Sequence, residues 1–512
     1  MIAREIEPLV ALMVGMLATM PAAADTRIVV TAPIAAPGHE ADVPGDVPHD
    51  VGDVSGGVIR TGLLQIDPVM LDGVQPGRRL RFELFDDAAF DAVVHDRRDL
   101  SPGRFTISGS LAGEPETRFQ LAVNRGAVAG ILMAGDAGVY RIRSDRAGLP
   151  VAQQIDPGVG LSCIVLDAVG PAALPVGGPC DDGSVIDVLV VYTTAARDEA
   201  GGIAAIEAEI DLAVGFNNGA YADSEIASSW NLVHVRQLEA GADPSLSELA
   251  DPDDGVVDGV HALRDAYGAD AVGCIVDGGG GVAYGLYDLD PGSPEFAFNV
   301  SGLGSMPSVL AHEIGHNLGC CHALGDGGGC PAEGGLLFPY SNGHRFVGDS
   351  GEQWRTIMAY PPGSPAVRFS NPQVLFDGQP TGVSQGEADA ADNADTINQS
   401  RVTVANYRCN DGICEALGLP SDAADCTGNG VPDGCDIALG MSADVNGNGV
   451  PDECEGSGDL DGDGVVGILD LLALLASWGP CPDPCPPSCA ADPDGDCSVG
   501  ISDLLLLLGN WS

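Results

Sequence analysis

Two different hydrophobic patterns follow one another along the larger part of the chain. Between residues 25 and about 183, segments such as GRRLRFELFD and RFQLAVNRGAVAGILMAG alternate apolar and polar residues and are broken by glycine. Such alternation with a period of two is typical of β-strands. The segment VIDVLVVYTTAAR, from Val185 to Arg197, is instead continuously apolar and β-branched, which is typical of a strand buried on both faces. The patterns therefore predict a β-rich N-terminal region followed by a separate domain.

The separate domain begins with alternating strand and helix patterns. After the continuous run, one mostly apolar helical face is formed by Ile203, Ile206, Ile210, Val214, Asn217 and Tyr221. WNLVHVRQLE and ADAVGCIVD then have the patterns of strands, and strand, helix and strand in this order indicate a crossover in an α/β unit. GGGGVAYGLYDL and FAFNVSGLG are predicted to form an edge strand and its neighbour.

The charge of the chain narrows the choice of partners. Its formal net charge is −52, and all 22 basic residues are arginine. A field of this sign repels nucleic acid and anionic membrane surfaces, so neither is expected as a partner. Calcium is favoured instead, because carboxylate and carbonyl oxygens are its ligands. Outside the tail, the acidity is equally well explained as a means of keeping a secreted protein soluble.

The first 24 residues have the features of a secretory signal. An apolar run from Leu9 to Met20 ends in Pro-Ala-Ala-Ala, and cleavage is expected near Ala24. The run is shorter than the roughly 20 apolar residues that a membrane span requires, and no other candidate span is apparent. We therefore expect a secreted, extracellular protein with no transmembrane segment in its mature chain, with cell-surface association as an open alternative.

Export bears on the fifteen cysteines of the chain. In an oxidising compartment most of them should pair as disulfides. Because the count is odd, one thiol is expected to stay free or to bind a metal. The pairing itself cannot be deduced from the sequence.

Three histidines and a glutamate cluster in the segment SVLAHEIGHNLGCCHALGD. Residues four apart share one face of a helix, so His312 and His316 present two imidazoles to one point, with Glu313 beside them. Gly319 permits a sharp turn, because glycine tolerates positive φ, and His322 can then return as a third ligand. Three protein ligands leave the fourth zinc position open for water, as in a catalytic site, and the glutamate can accept the proton of that water.

This spacing, HExxHxxGxxH, resembles the motif of the metzincin clan of zinc endopeptidases. The resemblance implies that Met358, in QWRTIMAYPP, forms the methionine turn beneath the metal. It also implies that Tyr360 ligates the metal or stabilises the transition state, as tyrosines do in astacin-like and serralysin-like members. Over roughly residues 185–408, the segments IDVLVVYTTAAR, NNGAYADS and VRFSNPQV resemble bacterial reprolysin-like, peptidyl-Asp type metallopeptidases. Ala323 departs from the adamalysin pattern, which has Asp after the third histidine.

The resemblance also bears on how a substrate binds. In these enzymes an extended substrate adds to an edge strand, and residues 280–286 (GGVAYGL) are the candidate edge here. If the S1′ side chain is acidic, as the resemblance implies, a nearby cation is needed. Arg345, Arg355 and Arg368 are the only basic residues in this part of the chain, and Arg355 and Arg368 flank the methionine turn. We take Arg355 as the first candidate.

Cysteines lie both within and ahead of this domain. Cys330 is expected to pair with one of its neighbours Cys320 and Cys321, in preference to a vicinal bridge between those two. Residues 25–183 precede the peptidase-like domain and are predicted to be a pro-segment, because a secreted protease needs restraint before export. Cys163 or Cys180 could block a zinc ion as a thiolate. A disulfide between these two is the preferred expectation.

The acidic tail contains two pairs of repeated loops. DCTGNGVPDGCD and DVNGNGVPDECE start 19 residues apart, DLDGDGVVGILD and DPDGDCSVGISD start 33 residues apart, and all four place oxygen-bearing side chains at alternate positions. The expected calcium ligands are Asp425, Thr427, Asn429, Asp433 and Asp436; Asp444, Asn446, Asn448, Asp452 and Glu455; Asp459, Asp461, Asp463 and Asp470; and Asp492, Asp494, Asp496 and Asp503.

The second pair of loops belongs to a longer repeat. Each loop precedes an apolar helix, and the shared positions are Leu471, Leu474, Leu475 and Trp478 in one copy and Leu504, Leu507, Leu508 and Trp511 in the other. The first pair resembles thrombospondin type 3 calcium repeats and the second a type I dockerin, which implies docking onto a cohesin partner. Acidic turns without an ion remain the alternative, and Cys497 replaces the turn glycine in the last loop.

Together these features predict a multidomain protein. The predicted parts are a signal peptide (1–24), a β-rich pro-region (25–183), an α/β metzincin-like zinc peptidase domain (184–409), thrombospondin type 3-like calcium repeats (410–456) and a dockerin-like module with paired helices (457–512). The predicted function is that of a secreted endopeptidase of protein or peptide substrates, with catalytic Zn²⁺ and structural Ca²⁺. The alternative is a non-catalytic surface or scaffold protein with a vestigial metalloprotease domain.

Overall fold

The structure is a computed structural model of the chain. It describes residues 26–34, 57–158, 163–167, 181–238, 241, 243–289, 293–331, 335–408, 433–438, 442, 451, 460, 466–481, 491 and 498–509. The predicted signal segment lies outside the described residues. Among those that are described, no helix combines the length and apolarity needed to cross a bilayer.

Nine strands of the N-terminal region form a closed barrel: β1 (Thr26–Ile34), β2 (Val58–Gln65), β3 (Arg79–Phe85), β4 (Ala88–Ser101), β5 (Arg104–Leu111), β6 (Glu114–Asn124), β7 (Ala127–Met133), β8 (Val139–Ser144) and β9 (Pro150–Ile155). Their order around the barrel is β1-β2-β9-β8-β7-β6-β5-β4-β3. The parallel pairing of β1 with β3 closes the ring. A short helix, α1 (Pro68–Asp72), lies between β2 and β3.

Side chains from alternate positions fill the barrel interior. In β3, Leu80, Phe82 and Leu84 are fully buried, whereas the residues between them are partly or fully exposed. The rings of Phe82 and Phe119 are 5.3 Å apart between centroids. The alternation that indicated strands therefore corresponds to an inward and an outward face, and the prediction of a β-rich N-terminal region is confirmed.

A six-stranded sheet organises the next part of the molecule, with strands β10 (Cys163–Asp167), β11 (Val185–Tyr192), β12 (Ser229–Gln237), β13 (Ala271–Val276), β14 (Gly281–Gly285) and β15 (Phe298–Gly302). The order is β10-β14-β15-β13-β11-β12. Strands β11, β12, β13 and β15 are parallel, and β14 runs antiparallel to β15. Every residue of β13 is buried, which agrees with a sheet covered on both faces.

Helices pack on both faces of this sheet: α2 (Thr194–Ala200), α3 (Ile203–Asp223), α4 (Leu246–Ala250), α5 (Gly259–Ala266), α6 (Ser308–Asn317) and α7 (Asn393–Val404). Helix α3 is the predicted crossover between the parallel strands β11 and β12. Its predicted apolar face is buried except for Ile203, which is 47% exposed. Helix α3 is also buried on the opposite side, where it packs against the barrel.

Short elements complete the described fold. Five strands lie between α6 and α7: β16 (Arg345–Val347), β17 (Gln353–Arg355), β18 (Ser364–Pro365), β19 (Leu375–Phe376) and β20 (Gln379–Pro380). Single 3₁₀ turns lie at Gly135–Ala137, Pro294–Phe296 and Leu303–Ser305. The tail adds α8 (Asp433–Ala438), α9 (Ile468–Ala476), β21 (Gly479–Pro480), β22 (Ser498–Val499) and α10 (Ile501–Gly509).

The two copies of the 33-residue repeat have equivalent environments in the tail. Asp470 and Asp503 are both buried, and each accepts a hydrogen bond of 2.6 Å from the backbone nitrogen three residues before it. Leu474 and Leu507 are both fully buried in one apolar cluster. The other predicted calcium ligands, apart from Asp433 and Asp436 in α8, lie outside the described residues.

Candidate active site

Helix α6 carries the first two histidines and the glutamate of the motif. His312, Glu313 and His316 are fully buried on it. The helix is fixed to the sheet through Asn317, whose side-chain nitrogen donates to the carbonyl of Tyr284 on β14 at 2.9 Å and to that of Phe298 on β15 at 3.1 Å. The edge of the sheet and the histidine helix therefore have a defined spacing.

A sharp turn after α6 brings the third histidine back to the other two. Gly319 has φ +88°, a conformation that favours glycine, and the backbone nitrogen of Cys320 bonds to the carbonyl of Gly315 at 2.9 Å. As a result, Nε2 of His322 lies 3.1 Å from Nε2 of His312 and 3.1 Å from Nε2 of His316. The structure thus brings together the three histidines that the sequence singled out.

The outer nitrogens of the three rings fix their tautomers. Nδ1 of His312, His316 and His322 lies 2.8, 2.7 and 2.8 Å from the carbonyl oxygens of Ile357, Cys320 and Gly327, respectively. Carbonyl oxygens only accept, so each Nδ1 carries the proton and each Nε2 presents a lone pair to the centre. Burial, the main cause, lowers the pKa of His312 to about 3 and that of His322 to about 4. Three convergent neutral imidazoles held by backbone carbonyls are a donor set that fits zinc.

Glu313 lies against the inner edge of β14. A side chain at Gly281 would overlap the Glu313 carboxylate, so the glycine leaves the space that the carboxylate fills. Oε2 accepts a hydrogen bond from Sγ of Cys163 at 3.0 Å, while Oε1 has no hydrogen-bond partner among the described residues. Burial raises the pKa of Glu313 well above its ordinary value. A buried carboxylate with an unpartnered oxygen beside the histidines is suited to proton transfer.

The residues assigned by resemblance lie on two sides of the histidines. Met358 is fully buried, and its sulfur packs against α6 at Gly315, where a Cβ would come within 2.7 Å of it. The ring of Tyr360 is 4.4 Å from that of His322 between centroids. Its hydroxyl donates to the carbonyl of Cys163 at 2.8 Å. Tyr360 therefore contacts the chain that occupies the cleft, with its hydroxyl bonded to backbone.

The fourth group at the centre comes from the N-terminal region. Strand β10 pairs in parallel with β14, with Cys163 opposite Gly281, so it covers the predicted edge strand. Sγ of Cys163 lies 3.5 Å from Nε2 of His316, and one ligand atom from each of the four residues lies within 4.8 Å of the others. The expected Cys163–Cys180 disulfide is therefore wrong: the Cys163 thiol is unpaired and buried, and it points at the histidines. The alternative, a cysteine at the metal position, agrees with this placement.

Strand β10 is held on its other edge as well. The backbone nitrogen of Val165 donates to the carbonyl of Gly328 at 2.8 Å. The loop that contains Gly328 is closed by a disulfide between Cys321 and Cys330, which confirms the predicted pairing of Cys330 with a neighbour. Cys320 is buried and unpaired within the described part of the chain. The cleft thus holds an extended segment between β14 and a disulfide-closed loop.

The three arginines proposed to recognise an acidic side chain have different environments. Arg355, the first candidate, is buried and donates to the carbonyls of Gly363 and Ala359, so it supports the backbone instead of facing the cleft. Arg368 stacks its guanidinium over Phe376 at 4.5 Å. Arg345 is the one whose bonds lead towards the histidines, through Tyr360, and its side chain is 21% exposed.

Asp326 is a site residue that the sequence analysis did not single out. Its carboxylate accepts from Nη1 of Arg345 at 2.7 and 2.9 Å and from the backbone nitrogen of Tyr360 at 3.0 Å. It therefore links the turn after His322 to the residue that contacts β10. Its position four residues after His322 is the only sequence signal. That spacing alone does not predict a contact with Tyr360, because the contact depends on the conformation of the loop closed by the Cys321–Cys330 disulfide.

The part of the chain that contains the three histidines is similar to a known protein family. Residues 182–370 match the family model Reprolysin_5, metallo-peptidase family M12. The match supports the prediction of a reprolysin-like metallopeptidase domain in this part of the chain. The match covers β11 to the residues just after the methionine turn, and so contains all three histidines and Glu313.

The curated relatives and the solved structure that match have low sequence identity to this chain. Two peptidyl-Asp metalloendopeptidases, from Stenotrophomonas maltophilia (strain R551-3) and Pseudomonas aeruginosa (strain PAO1), are 29% and 28% identical over 252 residues, covering 47% and 44% of this chain. The chain spans 56% and 40% of those proteins, about half the length of the relatives. Metalloproteinase-II from Bacteroides fragilis is 12% identical, with a TM-score of 0.32 over 54% of this chain and 88% of that one. At this TM-score the likeness does not establish a shared fold.

Proposed function

We propose that the chain is a zinc-dependent endopeptidase that is latent while residues 163–167 occupy its cleft. The observation that carries the proposal is the convergence of three Nε2 atoms, His322 at 3.1 Å from both other histidines, beside the unpartnered Oε1 of Glu313. A purely structural metal site would have no use for a buried carboxylate with a free oxygen. The similarity to family M12 supports the same chemistry.

The proton transfers of peptide hydrolysis are assigned to Glu313. When bound, a zinc ion would polarise a peptide carbonyl and lower the pKa of a water molecule. Oε1 of Glu313 is free to accept the proton of the attacking water, and the same oxygen can donate it to the leaving amine. Burial raises the pKa of this carboxyl, which favours its protonated form and so suits it to carry the proton.

Substrate is proposed to lie where β10 lies. Strand β14 offers its backbone to an added strand, and the carbonyl of Gly328 offers a further acceptor on the opposite side, as the bond from Val165 illustrates. Tyr360 donates to the carbonyl of Cys163, the residue nearest the histidines. Burial raises the pKa of Tyr360 well above its ordinary value, so its hydroxyl stays protonated and is available to a substrate carbonyl at the same position.

Latency follows from the same contacts. Burial, together with the neighbouring carboxylate of Glu313, raises the pKa of the Cys163 thiol well above its ordinary value, so the thiol is protonated and donates to Glu313. In the presence of zinc, a cysteine sulfur at this position is a competent ligand in place of water. Whether the cysteine bonds to Glu313 or to zinc, β10 excludes substrate from the edge strand β14.

A preference for aspartate is proposed from the name of the relatives, which are peptidyl-Asp metalloendopeptidases. Arg345 is the arginine best placed to contribute, because it reaches Tyr360 and is partly exposed. Arg345→Gln should reduce cleavage at aspartate relative to alanine in a peptide library. Arg368→Gln is the matched control and should leave the ratio unchanged, since Arg368 packs on Phe376.

Secretion, calcium binding and docking of the tail are proposed on sequence grounds. The signal segment and most calcium loops lie outside the described residues. The equivalent burial of Asp470 and Asp503, each beside a helix start, supports a duplicated module. Calcium titration of the whole chain, followed by circular dichroism, tests whether the tail folds with the ion. A cohesin-type partner would be expected to bind only in calcium.

The peptidase proposal is tested on the full chain. Wild type, Glu313→Ala, Cys163→Ala and the double variant are compared for zinc content and for cleavage of casein, with Glu114→Ala on the barrel as a surface control. We expect about one zinc per chain in all of them and cleavage by Cys163→Ala that the double variant lacks. Zinc in every variant with no cleavage by Cys163→Ala would favour the non-catalytic alternative, and absence of zinc would remove the metal site.

A further inference from the structure

Helix α3 has a row of small and acidic residues along the side that faces the barrel. Glu207, Asp211, Gly215, Gly219 and Asp223 follow one another at intervals of four, so they lie in one line along the helix surface. Asp211 is buried, and burial is the largest influence on its pKa, which is raised. Because Asp211 is buried, its carboxylate requires a partner that supplies positive charge or hydrogen bonds.

The barrel contacts this row from two strands. Arg104, on β5, donates from Nε and Nη2 to the two oxygens of Asp211 at 2.8 and 2.7 Å. Arg118, on β6, forms a close ion pair with Asp223. Asn124, at the end of β6, donates to Glu207 at 3.1 Å. The contacts run in register along the helix, with a two-point Arg–carboxylate pair near the middle.

The two glycines of the row make room for barrel side chains. A Cβ at Gly215 would overlap the side-chain amide of Gln120, and a Cβ at Gly219 would lie 2.6 Å from Nη1 of Arg118. Both glycines are inside a helix, where glycine is unfavourable relative to alanine. Their positions are explained by the close approach of the barrel.

A second set of contacts buries charge between the barrel and α3. Arg141, on β8, donates from Nη2 to Glu209 at 3.1 Å and to the carbonyl of Leu303 at 2.9 Å, and from Nη1 to that of Gly304 at 3.0 Å. The side chains of Arg141 and Glu209 are only 5% and 2% exposed. Without the barrel, Glu209 would lose its partners in an otherwise apolar setting.

Apolar packing is continuous across the same boundary. Ala122, Ala129 and Ile131 of the barrel belong to one hydrophobic cluster with α3 and α6, and this cluster is separate from the one that fills the barrel interior. The outer surface of β6 and β7 is therefore part of the core of the peptidase-like domain.

We propose that the barrel is a permanent, non-covalently docked subunit of the peptidase, bound through the row on α3, and is not shed when the cleft is opened. The proposal concerns this interface and does not rest on the catalytic activity. It implies that relief of latency needs only the removal of β10 from β14, while β1 to β9 stay in place.

The test severs the connection between the two parts without disturbing β10. A recognition sequence for a site-specific protease is inserted after Gly160 in a full chain that carries Glu313→Gln to prevent autolysis. The barrel fragment then has no covalent link to β10 or to α3. After cutting, we expect both fragments to elute as one species in size-exclusion chromatography at physiological salt and low protein concentration. Elution of a free barrel fragment from the cut parent would overturn the proposal.

Variants of the row test the site on α3. Gly219→Leu should increase the fraction of barrel fragment released after cutting, because the side chain would displace the Arg118 guanidinium from its ion pair with Asp223. Gly259→Leu is the matched control: it is also a helical glycine, but a Cβ there has nothing within 4 Å, and the fragments should stay together. Release by the control and retention by Gly219→Leu would contradict the assignment.

Hydrogen exchange of the parent protein gives an answer that does not depend on whether a variant folds. The amides of α3 on the barrel side should keep the same protection before and after the cut. A rise in their exchange after cutting would show that the barrel leaves, and would overturn the proposal. Unchanged protection together with co-elution would establish the docked subunit.

Discussion

Replacement of Cys163 is the most informative perturbation of the proposed latent state. Two variants separate the ways in which the residue can act. Cys163→Ala removes both the sulfur and the hydrogen bond to Glu313, whereas Cys163→Ser keeps a hydroxyl donor at the same position but has no sulfur. The backbone contacts of β10 with β14, Gly328 and Tyr360 are unchanged in both.

The size of the effect follows from the bond that is lost. A thiol is a weak donor, so its hydrogen bond is worth no more than an ordinary one, about 0.5–1.5 kcal/mol net, and each 1.4 kcal/mol is a factor of ten in an equilibrium. Loss of the 3.0 Å contact between Cys163 and Glu313 should therefore raise the fraction of chains with an open cleft by about 2- to 10-fold. The remaining pairing of β10 with β14 keeps the open fraction below unity.

The assay is the initial rate of cleavage of a fluorogenic peptide by zinc-loaded full-length protein. If the hydrogen bond is the main restraint, Cys163→Ala should be active and Cys163→Ser should resemble the parent. If ligation by sulfur is the main restraint, both variants should be active to a similar degree, since serine is a poor zinc ligand. Equal, low rates for parent and both variants, with zinc present, would refute the reasoning.

Three further predictions concern the surroundings of the site, and the first two are measured in the Cys163→Ala background. Tyr360→Phe should lower kcat by about 10²-fold with little change in KM, because it removes one donor to the substrate carbonyl. Asp326→Asn should lower kcat/KM by about tenfold without loss of zinc, because it weakens the link to Tyr360 and leaves the histidines in place. Burial raises the pKa of Asp270 well above its ordinary value, so the folded state binds more protons than the unfolded chain and the group's stability contribution falls as pH rises above about 4. Urea denaturation should therefore show the stability of Asp270→Asn relative to the parent rising as the pH is raised above about 4.

Local patterns were sufficient to predict the helix that carries His312, Glu313 and His316. Residues four apart on a helix share a face whatever the rest of the fold does, so His312 and His316 could be paired from spacing alone. Gly319 allowed us to predict that His322 turns back towards the other two histidines, because a residue with positive φ ends the helix at that point. The alternation in β3 and the continuous run in β11 identified their burial for the same reason: strand periodicity is a local property.

Long-range pairing was not predictable from those patterns. The role of Cys163 depends on the pairing of β10 with β14, which brings together residues more than a hundred positions apart, and SCIVLD carries no signal for that partner. With only Cys180 nearby in sequence, a disulfide was the natural local expectation. The environment of Arg355 was likewise not predictable from local sequence. Its position beside the methionine turn predicted that it faces the cleft, but its side chain donates to backbone carbonyls.

The acidic row on α3 illustrates a different failure. The search for an apolar face at helical spacing found the side that packs on the sheet, with Ile206, Ile210 and Val214. The acidic and glycine positions between them carried no prediction, because they belong to no apolar face and Asp and Gly are unfavourable in helix interiors. Only the arginines of the barrel, whose placement depends on the closed ring of nine strands, give those residues a structural role.

A docked barrel also determines how the latent state can be relieved. Seven residues separate the end of β9 from Cys163, and a chain of that length spans at most about 25 Å. While the barrel stays on α3, a cut after Leu174 leaves β10 tethered to it at an effective concentration of the order of mM. A cut after Gly160 likewise leaves β10 tethered, through its C-terminal side.

We therefore expect either single cut to give little activity in the otherwise native zinc-loaded chain, and both cuts together to give full activity, measured as the initial rate of peptide cleavage. Full activity after the cut at Leu174 alone would mean that β10 or the barrel dissociates freely, and the coupling between docking and latency would be wrong.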